Sequence, residues 1–216
     1  VKVLSMTGQM EAGGNNRPAL SMPGGNKRKG VRMPPPRPPE QTRLPFVLEL
    51  KRPHKMRVEL EFNGQTAIQA YDGTNGWKLR PFLNRHEIEP FTAEELKLAS
   101  LESDLDGPLV DYASKGSKVA LEGTEKVAGR DTYNLKVTDK NGNARHVWVD
   151  AENFLEAKVE GSPRRLDGKY HPVSIYLTDY RSVNGLMIPH SLETVVEGGK
   201  QKEKIQIESV ALNPQL

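Results

Sequence analysis

Turn-forming glycine pairs recur along this chain at short spacing, and that spacing limits what the chain can fold into. They fall at Gly13-Gly14-Asn15-Asn16, Gly24-Gly25-Asn26, Asn63-Gly64, Asp72-Gly73 with Asn75-Gly76, Asn141-Gly142, Asn184-Gly185 and Gly198-Gly199. Between them the side chains alternate. Val58, Leu60 and Phe62 share one side with Arg57, Glu59 and Glu61 on the other, and Tyr133, Leu135 and Val137 repeat the pattern. Val173, Ile175 and Leu177 alternate with Ser174, Tyr176 and Thr178, and Ile205 and Ile207 with charged or amide neighbours. A period of two bounded by such turns predicts antiparallel strands with one dry face and one wet face.

The turns also set register. Around Asn63-Gly64 a two-residue loop places Val58 opposite Gln69 and Leu60 opposite Ala67. A three-residue loop places Val58 opposite Ile68 and keeps the apolar residues together, so it is the expected one. At Lys140-Asn141-Gly142 the same choice either puts Val147 against Leu135 and Val149 against Tyr133, turning Trp148 to the other face, or packs Trp148 on Leu135. The sequence leaves both open.

One stretch, about residues 92–115, breaks the rhythm. Thr92-Ala93-Glu94-Glu95 reads as a capping box, and Leu98, Leu101 and Leu105 follow at helical spacing, widened by Leu96. Asp106-Gly107-Pro108 suits a second helix start, with Leu109, Tyr112 and Ala113 as its apolar face and Lys115-Gly116 as its end. A helical pair is therefore expected across the dry side of the sheet. Residues 31–41, VRMPPPRPPEQ, predict polyproline or extended loop, a stiff surface connection more than a docking segment.

Only 36% of the 216 residues are apolar and 6% aromatic, thin for a solid globule but natural for a sheet wetted on one face. The net charge of +3 comes from 31 basic and 28 acidic residues that are interleaved. The one basic knot, Lys27-Arg28-Lys29 with Arg32, lacks neighbouring aromatics, which argues against nucleic acid as a partner. There is no cysteine to carry an N-terminal acyl anchor, so the expectation is either a soluble protein or an anchor cut away before residue 1, and no apolar run reaches the roughly 18 residues of a membrane span. No signal peptide is visible. The chain opens on strand-like Val1-Lys2-Val3-Leu4-Ser5-Met6-Thr7, which raises the expectation of a missing upstream segment.

Catalytic chemistry leaves no linear trace. His54, His86, His146, His171 and His190 are scattered, with no metal-ligand spacing. No nucleophile elbow, phosphate loop or dinucleotide fingerprint occurs, and Gly161-Ser162-Pro163 reads as a turn. Glu94-Glu95, Glu102-Asp104-Asp106 and Asp179 are carboxylates in number, but on the expected helices they fall near N-termini, where the dipole favours them anyway. No catalytic residue, metal or cofactor is assigned.

The order of motifs carries a resemblance. Pro53-His54-Lys55-Met56-Arg57-Val58-Glu59 precedes Ala70-Tyr71-Asp72-Gly73-Thr74-Asn75-Gly76-Trp77, then the helical segment ending Leu105-Asp106-Gly107-Pro108-Leu109-Val110-Asp111-Tyr112. Gly129-Arg130-Asp131-Thr132-Tyr133-Asn134-Leu135-Lys136-Val137 follows with His146-Val147-Trp148-Val149-Asp150, and Asp179-Tyr180-Arg181-Ser182-Val183-Asn184-Gly185 leads to Ile188-Pro189-His190. Over about residues 43–213 this resembles the outer-membrane lipoprotein-sorting family, relatives of the LolA and LolB lipoprotein carriers. The resemblance implies one domain, 1–216, mostly β: a strongly curved antiparallel half-barrel sheet with helices covering its concave face. It also implies a periplasmic protein without cofactor that shelters lipid or an acylated lipoprotein, taken from or passed to a membrane-bound donor or receptor. Two features depart from the family: its N-terminal helix is missing ahead of Val1, and the proline tract is longer.

Alternation nominates the lining. From the sheet come Val58, Leu60, Phe62, Ile68, Tyr133, Leu135, Val147, Val149, Ile175 and Leu177; from the helical segment Leu98, Leu101, Leu105 and Leu109, with Trp77 and Phe82 nearby. A sensor or protein-interaction module on the same scaffold is the alternative, and a hydrolase a more distant one.

Overall fold

The computed structural model describes residues 1–13, 41–81, 84–166, 168–199 and 202–215. The basic knot, most of the proline tract, the two earliest turn clusters beyond Gly13, and Phe82 lie outside them. Among the described residues thirteen strands form one antiparallel sheet. In chain order they are β1 (Val3–Gly13), β2 (Gln41–Lys51), β3 (Lys55–Phe62), β4 (Gln65–Tyr71), β5 (Gly76–Arg80) and β6 (Arg85–Pro90). After the helix α1 (Ala93–Glu102) come β7 (Lys118–Val127), β8 (Arg130–Thr138), β9 (Ala144–Asp150), β10 (Glu156–Leu166), β11 (Lys169–Val183), β12 (Leu186–Val196) and β13 (Lys202–Leu212).

The spatial order β6-β5-β4-β3-β2-β1-β13-β12-β11-β10-β9-β8-β7 is two meanders joined where β1 pairs with β13. Asn213 clasps that junction: its side chain accepts from the Lys2 and Val3 amides (2.6 and 3.2 Å) and its amide donates to the Val3 carbonyl (2.7 Å). The sheet does not close. Its edges are β6 and β7, consecutive along the chain, and the segment carrying α1 crosses between them. Register shifts at Thr7/Gly8, Leu121/Gly123, Glu156/Lys158 and Gly161/Arg164 add the local bend and twist that curve a wide sheet into a half-barrel.

Two expected registers are now decided. At Asn63-Gly64 the loop has two residues, not three: Val58 faces Gln69 and Leu60 faces Ala67. Asn63 (φ 50) and Gly64 (φ 71) both adopt the left-handed conformation, the turn whose twist matches that of paired strands. At the β8–β9 turn Leu135 faces Val147 and Tyr133 faces Val149, so Trp148 belongs to the opposite face. Gly161-Ser162-Pro163 is not a turn; it lies within β10 at a register shift, where Pro163 needs no ladder donor.

The capping box forms as its residue types require. The Glu95 amide donates to Thr92 Oγ1 (3.2 Å) and the Thr92 amide to Glu95 Oε2 (2.7 Å). The second helix does not form. Residues 103–117 run as successive turns, with Gly107 (φ 66), Asp111 (φ 51) and Gly116 (φ 75) left-handed, which no continuous helix accommodates. Glu102, expected near a helix N-terminus, is the last residue of α1.

Candidate functional site

Residues directly opposite in an antiparallel sheet share a face, so the pairings trace one surface across the molecule. On the side where α1 packs, Met56, Val58 and Leu60 of β3 meet Leu50, Leu48 and Phe46 of β2. Leu50 and Leu48 meet Leu4 and Met6 of β1, which face Leu212 and Val210 of β13. Ile205 of β13 meets Leu192 of β12, Leu192 meets Leu177 of β11, and Ile175 meets Val159 of β10. Val159 meets Val147 of β9, Val147 meets Leu135 of β8, and Leu135 meets Leu121 of β7. The apolar face is continuous from β3 to β7.

The crossing segment covers only the flanks of this surface. Ala99 of α1 is buried with Leu50, Met56 and Tyr71, and Leu96, Leu105 and Phe91 pack against them. On the far flank Leu109 packs on Val137, Val147 and Val149. The stretch between, with Ile175, Leu177, Leu192 and Ile205, stays half-buried. A cleft of about 500 Å3 opens where the crossing segment meets the β2–β3 and β8–β9 turns, lined by Leu101, Leu105, Pro53 and Val137 among charged groups.

Ion pairs pin the segment in place. Lys78 of β5, only 7% exposed, bonds both Glu95 carboxylate oxygens (2.5 and 2.6 Å), so one glutamate closes the capping box and neutralises a buried cation. Burial alone would raise the Glu95 carboxyl; the Lys78 and Thr92 bonds outweigh it and hold it below its usual range. Farther along, Arg52 reaches Asp106 (2.5 Å) and Lys115 reaches Asp104 (2.6 Å) and the Gly107 carbonyl (2.7 Å). Asp104 and Asp106 are thus spoken for as structural anchors. Glu102 is different: solvent reaches it, yet burial pushes its carboxyl up against the opposing pull of Arg164, as for a group inside a concavity.

Of the nominated lining residues, Val58, Leu60, Phe62, Tyr133, Leu135, Val147, Val149, Ile175 and Leu177 share the α1 side of the sheet. Leu105 and Leu109 pack on its two flanks, Leu98 is half-buried and Leu101 is 39% exposed. Ile68 and Trp77 are on the other side. The two-residue turn sets Ile68 opposite Glu59 and Leu79, and Trp77, opposite Ala70, is 41% exposed. Residues not singled out include Phe46, Leu48 and Leu50, whose alternation was readable in Leu44-Pro45-Phe46-Val47-Leu48-Glu49-Leu50, and Thr194 and His190, buried polar positions without any such signal.

Outside this surface, His146 sits between two carboxylates, its Nδ1 2.8 Å from Glu160 and its Nε2 3.0 Å from Glu122. Next to it Lys158 lies 3.4 Å over the Trp148 ring, and the Trp148 indole donates to Glu125. Among the described residues no three His, Asp or Glu side chains converge as a metal set.

No family model matches the sequence, and no curated protein matches it significantly. Solved structures do resemble the fold. A LolA superfamily protein from Nitrosomonas europaea superposes with a TM-score of 0.61 at 12% identity, covering 100% of this chain and 87% of its own. A DUF1329 family protein from Desulfovibrio piger does so with a TM-score of 0.61 at 13% identity, over 100% and 87% of the two chains. A putative outer membrane lipoprotein-sorting protein domain from Vibrio parahaemolyticus gives 0.58 at 12% identity, with coverage of 100% and 87%. The chain therefore has the LolA-type fold, a curved antiparallel sheet with a helix against one face.

Proposed function

We propose that the protein is a periplasmic carrier that shelters the acyl chains of a lipid or lipoprotein on the concave face, and that it binds its cargo without catalysing a reaction. The observation that carries this reading is the continuous apolar face whose middle, at Ile175, Leu177, Leu192 and Ile205, is left half-buried between two covered flanks. An acyl chain supplies what such a surface lacks, each buried methylene contributing about 0.8 kcal/mol. A chain of some fifteen methylenes offers roughly 12 kcal/mol gross, ample after the losses of association. The proposed lining is the set that shares this face: Ile175 and Leu177 in its open middle and Val58, Leu60, Phe62, Tyr133, Leu135 and Val149 toward the flanks, with Leu98, Leu101, Leu105 and Leu109 above. Val147, fully buried in the cluster under Leu109, lies behind the surface a cargo would touch. Likeness to a LolA superfamily protein and to a lipoprotein-sorting domain supports the reading. Cargo would arrive from a membrane-bound donor or receptor, and no helix among the described residues is long and apolar enough to cross a membrane.

Native mass spectrometry of the purified protein, followed by organic extraction and lipid analysis, tests it. Stoichiometric phospholipid or acylated peptide is the expected result. A protein that is empty and also fails to take up a fluorescent fatty acid refutes it.

A further inference from the structure

The side of the sheet turned away from α1 holds a larger concavity, a cleft of about 890 Å3. Register builds its floor. Tyr176 of β11 faces Glu193 of β12, which faces Lys204 of β13, and each alternates with a residue of the opposite, apolar surface. Tyr180 and Val195 extend that floor, and the turns around Ala128 and Asn153 with Leu155 and Glu156 raise a wall at one end. Its volume falls in the usual range of small-molecule sites, roughly 300–1,000 Å3.

Most charges at the cleft are already matched. Arg130 pairs with Asp150 (2.7 Å), Lys202 with Glu193 (2.7 Å) and Asp179 with Arg181 (2.6 Å). Lys204 has no carboxylate partner among the described residues, but it is exposed and hydrated. Glu156 is the exception that matters. It is half-buried in the cleft wall, and among the described residues no side chain or amide bonds its carboxyl. Burial, with no counter-charge against it, pushes that carboxyl above its ordinary range. The Tyr180 hydroxyl donates to the Glu156 carbonyl (2.8 Å), which fixes an aromatic ring beside it.

A half-buried carboxylate left unmatched in a cleft lined by two tyrosines is the chemistry that recognises an organic cation. The carboxylate supplies the counter-charge and the rings present negative faces. We propose that this cleft binds an apolar amine, its ammonium on Glu156 and its body against Tyr176, Leu155 and Val195. Leu177 borders both surfaces, but Glu156, Tyr176 and Val195 are not part of the acyl lining, so the proposal stands independently of the carrier reading.

The test titrates phenethylamine and phenylpropionate, one apolar body with opposite charges, into the protein at neutral pH, followed by amide NMR. The expected result is saturable shifts for the amine at residues 155–157, 176–180 and 191–195, with none for the acid. Glu156→Gln, nearly isosteric, is expected to keep the spectrum elsewhere and weaken the amine by about tenfold or more. Absence of saturable shifts, equal binding of the acid, or unchanged affinity in Glu156→Gln each overturns the proposal.

Discussion

Lys78 and Glu95 join the crossing segment to the sheet, and their unequal burial makes the two halves of the pair behave differently when broken. Lys78 is 7% exposed and Glu95 36%. Glu95→Gln keeps a residue able to close the capping box but strands an ammonium in the wall beneath α1. Removing one partner of a fully buried pair costs about 3–5 kcal/mol, and since water reaches the Glu95 side we expect about 2–3 kcal/mol. For a chain of this size that lowers the melting temperature by about 5–10 °C. Lys78→Met does the opposite: the buried charge is gone, and Glu95 remains capped and solvated, so the loss is expected to be below about 1 kcal/mol. The double variant should recover most of what Glu95→Gln loses. Thermal and urea unfolding by circular dichroism on the two singles and the double measure this. A Lys78→Met loss as large as that of Glu95→Gln would refute the reasoning. The pair also has a pH signature. The folded-state pKa of Glu95 is lowered, so its contribution is present above the unfolded carboxylate pKa and lost as pH falls through the folded value. Glu95→Gln should flatten that acid limb.

Two further outcomes are expected. The Glu160 bond first, and the Glu122 bond with it, raise His146 above its usual value despite some burial, so its contribution is full below about pH 6.5 and fades as pH rises through the folded pKa. A proton NMR titration of its ring should show this, with Glu160→Gln moving the midpoint back down; an unmoved midpoint contradicts the assignment. Gly76 lets the Phe91 ring lie directly on β5, because a Cβ built there would overlap the ring, and the Phe91 amide bonds the Gly76 carbonyl (2.9 Å). Gly76→Ala should therefore cost about 1–3 kcal/mol in urea unfolding, and a neutral effect would show that Phe91 is not held there.

The sequence by itself determined whatever depends on neighbours a few residues apart. Alternation assigned faces within β3, β8, β11 and β13, the turn pairs marked the hairpins, and Thr92 with Glu95 placed the start of α1. The tertiary structure decided the rest, because those outcomes balance local preference against distant partners. Ile68 went to the outer side since both Asn63 and Gly64 could turn left-handed, a turn geometry that overrode the gain from grouping apolar residues. The apolar residues after Pro108 looked helical, but the chain there must carry Leu109 from the α1 flank to Val137 and Val147 on the far one, and it does so in turns. The outer cleft was invisible for a related reason. Tyr176, Glu193 and Lys204 become neighbours only through the pairing of β11, β12 and β13, and no local pattern records that Glu156 is left without a partner beside them.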